Sequence, residues 1–194
     1  MKKSYLRSIA LEKRTSIVND ISNQILAEFG SLTNEQLNWK PHSNMWSIAQ
    51  NLEHVIIINE SYYPVFTSLK TGTYKTPFIA KFSFLVRFLG NTILKSVQPD
   101  RQKKMKTFPI WEPSTSTEIV EILQRFNIHQ NELIKNIDEV KEFIEQGCVI
   151  SSPANRNIVY TLETALDIIV AHEQRHIEQA KEVLQQLKVH SIYI

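Results

Sequence analysis

Two histidines four residues apart, in Ala171-His172-Glu173-Gln174-Arg175-His176-Ile177, are the residues of this chain whose type and spacing could do chemistry. On an α-helix, positions i and i+4 share a face one turn apart. The surrounding apolar residues Leu162, Ala165, Ile169, Val183 and Leu187 form one stripe. His172 and His176 continue that stripe through its middle, so both imidazoles are expected to point inward. Two imidazoles on one helical face are what a divalent metal takes from a single helix. A third imidazole from a second helix would complete a set that leaves one coordination position open to water, the arrangement of a catalytic rather than a structural site.

Four other histidines compete for that place. His42 lies in the turn at Pro41 and His190 near the end of the chain. His129 is flanked by Asn127, Gln130 and Asn131 and reads as a surface residue. His54 falls within a helical pattern where an inward orientation is expected. A lone inward histidine is more often a hydrogen-bonded core residue than a ligand, so the weight rests on the pair.

His172-Glu173-Gln174-Arg175-His176 also fits His-Glu-x-x-His, the zinc-protease motif, in which the glutamate is the general base. Only 18 residues follow His176, and they contain neither the glycine nor the third ligand of the extended motif. The protease reading is therefore set aside, and Glu173 stays as the one further candidate for a catalytic role. A di-iron carboxylate bundle needs Glu-x-x-His on two helices. Glu173 to His176 supplies one such motif, and the helix of His54 offers only Glu53 and Glu60, at the wrong spacing.

The elements that must position these residues read as helices. Ile17, Val18, Ile21, Ile25 and Phe29 have helical spacing before Gly30. Three capping boxes, beginning at Thr33, Ser47 and Thr115, mark helix starts. The second opens the helix that carries His54, which Pro64 is expected to kink. Ile119 to Val140 forms a third long helix, and Thr161 caps the last, which runs to about Lys188. Between the second and third, Pro77 to Pro113 is an insertion: Phe78 to Leu94 is a short amphipathic helix, a lid over one end, and Gln98 to Pro113 is extended loop with the basic cluster Arg101, Lys103, Lys104 and Lys106. Cys148 to Tyr160 reads as loop. The expected fold is all-α, a single domain over residues 1–194, a four-helix bundle with a long crossover connection carrying an extra short helix.

Composition narrows the function classes. Of 194 residues, 42% are hydrophobic and 22% charged, which suits one soluble domain with one core. A formal net charge of +2 gives no bulk attraction for nucleic acid, and the four-residue basic cluster reads as a solvated loop. The single Cys148 excludes an internal disulfide or a cysteine-rich zinc module. The most apolar stretch, residues 77–94, is broken by Lys81, Arg87 and Asn91 and is shorter than the ~20 residues that span a bilayer. No signal-peptide pattern opens the chain, so a cytoplasmic protein with no nucleic-acid and no membrane partner is expected.

The chain resembles the DinB/YfiT-like metalloenzyme family. The resemblance is carried by Leu37-Asn38-Trp39-Lys40-Pro41, by Trp46-Ser47-Ile48-Ala49-Gln50-Asn51-Leu52-Glu53-His54, and by His172 through Gln179. It implies a four-helix bundle with a metal held by three histidines, here His54, His172 and His176. Zinc, nickel, iron and manganese all suit imidazole. It also implies a small-molecule substrate, with transfer of a low-molecular-weight thiol as the leading activity, and a homodimer. The alternatives are a non-catalytic metal- or ligand-binding stress protein and a metal-dependent hydrolase.

Overall fold

The structure is a computed structural model that describes residues 2–100, 107–114, 118–190 and 192, with side chains from residue 10 onward. It is mostly helical. Four long helices dominate: α1 (Lys2–Phe29), α3 (Ile48–Glu60), α6 (Ile122–Glu139) and α8 (Leu162–His190). The remaining helices are α2 (Asn34–Asn38), α4 (Tyr63–Lys70), α5 (Ser83–Ser96), which is about as long as α3, and α7 (Lys141–Glu145). Helices α1 and α3 each pack against both α6 and α8. Among the described residues, no helix is long and apolar enough to cross a membrane.

Local chemistry explains where most helices begin. Thr33 and Ser47 each accept from the backbone N–H three residues on, and Gln36 and Gln50 return a side-chain oxygen to the cap N–H. Two of the orphan donors at each helix start are thereby satisfied. Thr161 Oγ1 accepts from the Thr164 N–H at the start of α8, 3.1 Å away, as its sequence position predicts.

Four expectations are corrected. The helix of His54 does not kink at Pro64. It stops at Glu60, and Pro64 sits in the first turn of α4, where its missing N–H costs nothing. The loop expected at Cys148–Tyr160 contains an antiparallel hairpin, β1 (Val149–Ser152) and β2 (Asn155–Thr161), a small two-stranded addition to a mostly helical fold. The alternation that marks a half-buried strand is short here, and the β-branched residues Val149, Ile150, Ile158 and Val159 carry it. The third long helix begins at Ile122 rather than just behind the Thr115 box, after Glu121 in a left-handed conformation (φ 54°). Thr115–Thr117 and the cluster Arg101, Lys103, Lys104 and Lys106 lie outside the described residues. Finally, His129 is not a surface residue: it is 2% exposed.

The core is divided. One apolar cluster gathers Val18, Tyr62, Phe66, Leu133, Ile137 and Ile169. The other gathers Ile21, Phe29, Leu52, Phe126, Ile177 and Val183. On α3, α6 and α8 the break between them falls at buried polar residues: His54 and Asn59, His129 and Gln130, and His172, Glu173 and His176. Burying each large apolar side chain stabilises by roughly 1.5–3 kcal/mol. A polar layer across such a core survives only if its members satisfy one another or a ligand.

Candidate metal centre

His54, from the middle of α3, meets His172 and His176, from the middle of α8. Their ring centroids are 5.1 Å (54–172), 4.5 Å (54–176) and 4.5 Å (172–176) apart. One nitrogen from each lies within 4.8 Å of the others, and all three residues are buried. Three imidazoles on two facing helices can therefore hold a metal ion.

The protons on two of the rings follow from their partners. His54 Nδ1 is 2.6 Å from the Trp111 carbonyl oxygen, which can only accept, so Nδ1 carries the hydrogen. His176 Nδ1 is 2.9 Å from Asn51 Oδ1. Asn51 Nδ2 donates to the Ser47 carbonyl at 2.9 Å, so the oxygen is the atom turned to the imidazole, and Nδ1 again carries the hydrogen. Both rings thus keep an Nε2 lone pair for a metal, each fixed by a partner behind it. His172 Nδ1 is buried with no hydrogen-bond partner. An orphaned nitrogen inside a cluster of imidazoles is the mark of a site built for an additional ligand.

Burial sets the charge state. It lowers His54 to about 4, against a smaller opposing effect of the Trp111 carbonyl. Burial, then the neighbouring imidazoles and Arg175, hold His172 and His176 well below the ordinary range. All three rings are neutral near pH 7, the form that binds metal.

The rings border a cavity of about 520 Å³. Its wall is mixed: Trp46, Ile93, Val97 and Ile168 are apolar, while Arg175 and Gln179 are polar. Trp46 lies against both His54 (4.6 Å) and His176 (5.8 Å), so it is a wall of the site as well as the residue before the α3 cap. The Arg175 guanidinium donates to the Ser96 and Gln98 carbonyls and ties α8 to the end of α5.

Glu173 lies elsewhere. It is fully buried, accepts from Asn59 Nδ2 at 2.6 Å and Gln130 Nε2 at 3.0 Å, and is not among the cavity-lining residues. Burial raises its carboxyl to about 7, against those two hydrogen bonds. Asn59 Nδ2 also lies 3.2 Å from His129 Nε2, and the Tyr63 hydroxyl 3.3 Å from His129 Nδ1. This second polar group ties α3, α6 and α8 together through Glu173, Asn59, Gln130 and His129. Gln50 closes the Ser47 cap and donates to the Ser114 carbonyl.

Sequence reasoning missed Trp111, whose contribution is a backbone carbonyl and so leaves no side-chain signal. It also missed the Tyr62–Tyr160 hydroxyl pair (2.8 Å) on the cavity wall, because Tyr160 arrives on an unexpected strand.

The family model of the DinB superfamily matches residues 22–180. No curated protein and no solved structure matches the chain. The match runs from the last third of α1 through most of α8 and takes in all three histidines; the chain belongs to the DinB superfamily.

Proposed function

We propose that this protein is a metal-dependent enzyme acting on a small molecule, with transfer of a low-molecular-weight thiol to an electrophile as its reaction. The observation that carries this reading is the trio of neutral imidazoles at the edge of a cavity, two of them with their Nδ1 hydrogens committed to partners behind. His54, His172 and His176 would hold the ion, and the four long helices form the four-helix bundle that frames it. A divalent metal bound there supplies a Lewis acid that lowers the pKa of a thiol or of water.

The chain's own residues do the rest. Asn51 and the Trp111 carbonyl hold two rings in the tautomer that faces the cavity. Trp46 excludes water from one side of the imidazoles. The Trp111 indole N–H is buried without a partner in a residue of the cavity wall, a donor left for an acceptor on the substrate. Cys148 is not among the cavity-lining residues, so no thiol of the protein competes with an external one.

The test is turnover by metal-loaded protein with a panel of low-molecular-weight thiols and a chromogenic electrophile. Thiol-dependent turnover that His172→Ala abolishes is expected. Thiol-independent consumption of ester or amide substrates would replace transfer with hydrolysis. Inactivity across both panels, with metal bound, would leave a binding protein.

A further inference from the structure

Helix α5 has two faces of different character. Val86, Gly90, Ile93 and Val97 recur at intervals of three and four, and the helix packs through them on β2 and α8. Gly90 is the point of closest approach, since a Cβ there would lie 3.0 Å from Tyr160 Cβ and 3.1 Å from Thr164 Cγ2. About 180° around the helix, Phe84, Phe88 and Lys95 point outward, with Arg87 and Asn91 beside them. Phe84 and Phe88 are 63% and 65% exposed. The 3-10 turn just before α5 (Phe78–Lys81) adds Phe78, 70% exposed, and the half-exposed Phe82 follows it. These two rings meet edge to face at 5.7 Å, with Lys81 Nζ 5.0 Å over the first. Four phenyl groups on one short stretch of surface are far more than scattered apolar exposure explains.

The charge around them has one sign. Residues 61–99 contain no aspartate or glutamate, and they contain Lys70, Lys75, Lys81, Arg87 and Lys95. Lys70 is paired with Glu139 of α6; Lys75, Lys81 and Arg87 lie on exposed positions of this segment. The whole chain carries only +2, so the asymmetry is local. Phenyl rings flanked by lysine and arginine, with no acid among them, form the pattern of a segment that lies in the plane of a lipid interface.

The geometry points to a membrane-docking face: the outer side of α5 and the turn before it seat on an anionic lipid surface, phenyl rings in the headgroup–acyl boundary and cations against the headgroups. This departs from the sequence-based expectation of no membrane partner, which rested on spanning length, the lack of a signal-peptide pattern and the near-neutral net charge. A peripheral contact needs no spanning helix. A second copy of the chain fits the face less well, because a symmetric contact would set Arg87 and Lys81 against their own kind. The face is separate from the imidazoles, and its test needs no metal.

The experiment is co-sedimentation of the full chain with vesicles of phosphatidylcholine, alone or with about 30% phosphatidylglycerol. Capture by the anionic vesicles only, weakened as salt is raised, is expected. F84S/F88S should lower the partition coefficient about tenfold or more, and K81E/R87E should remove the preference for anionic vesicles. All four side chains lie on exposed positions, so both variants should keep the circular dichroism and melting temperature of the parent. Failure of the parent to sediment with anionic vesicles overturns the proposal, as does undiminished capture of F84S/F88S. Sedimentation of the parent as a dimer that F84S/F88S dissolves, without vesicle capture, overturns it in favour of a second copy.

Discussion

Asn51 Oδ1 receives the His176 Nδ1 hydrogen at 2.9 Å, while Asn51 Nδ2 is held by the carbonyl of Ser47, the residue that caps the same helix. The start of α3 therefore orients an imidazole on α8, and one capping residue serves both the helix and the site. Asn51→Ala should remove this orientation and leave all three histidines in place. Metal affinity, measured by competition with a chromogenic chelator, should fall about 10- to 100-fold. An unchanged affinity would mean that His176 is held by packing alone.

Glu173 is expected to matter for stability rather than for turnover. Glu173→Ala leaves the buried amides of Asn59 and Gln130 without their acceptor. Urea denaturation should show a loss of about 3 kcal/mol. The metal content of whatever variant remains folded should match the parent, because none of the three ligands has been touched.

His129 gives stability a pH dependence of defined sign. Burial lowers it to about 4 in the folded chain, against 6.5 for the free side chain. The unfolded chain therefore takes up a proton first as pH falls. The contribution of neutral His129 is complete above 6.5 and declines as pH drops towards 4, by about 3 kcal/mol in all. Asn59 Nδ2, 3.2 Å from His129 Nε2, Glu60 Oε1, 3.8 Å from Nδ1, and the Tyr63 hydroxyl face it. Glu173, raised to about 7, works in the opposite direction: its contribution is complete below 4.5 and is lost as pH rises to 7. In metal-free protein His54, His172 and His176 are lowered by burial in the same direction as His129 and together outweigh Glu173. Stability measured by denaturation should therefore fall from pH 7 towards pH 4, and less steeply in His129→Gln than in the parent.

Gly90→Ala probes how tightly α5 is seated. The added methyl would meet Tyr160 Cβ on β2 and Thr164 Cγ2 on α8 at 3.0 and 3.1 Å, so these neighbours or α5 must give by a few tenths of an ångström. A loss of about 2 kcal/mol is expected by thermal or urea denaturation. The same shift would move Tyr160 within the cavity wall. A neutral result would mean that α5 rides loosely on the hairpin.

These residues also show what a sequence can and cannot announce. The capping boxes at Thr33 and Ser47 were readable because their chemistry is local, a side chain answering a backbone three residues away. His172 and His176 were readable because helical spacing alone puts them on one face, whereas His54, weak by itself, joined them through the family resemblance carried by Trp46 to His54. His129 was misjudged because its sequence neighbours are polar. Its burial comes from Asn59 and Tyr63, whose approach depends on how α3 meets α6. The hairpin was missed because its two strands are short and gain stability by packing under α5 rather than from a strong alternation of their own. The Trp111 carbonyl had no signal at all, since any residue there would offer the same oxygen.

The central claim is that His54, His172 and His176 hold one metal ion between two helices. The most direct measurement is elemental analysis of protein purified without added metal and without chelators, alongside His54→Ala and His172→Ala. The account predicts about one divalent ion per chain in the parent and loss of that ion in each variant. A folded parent that carries no metal and takes up none on titration, or a His54→Ala variant that keeps its ion, would contradict it.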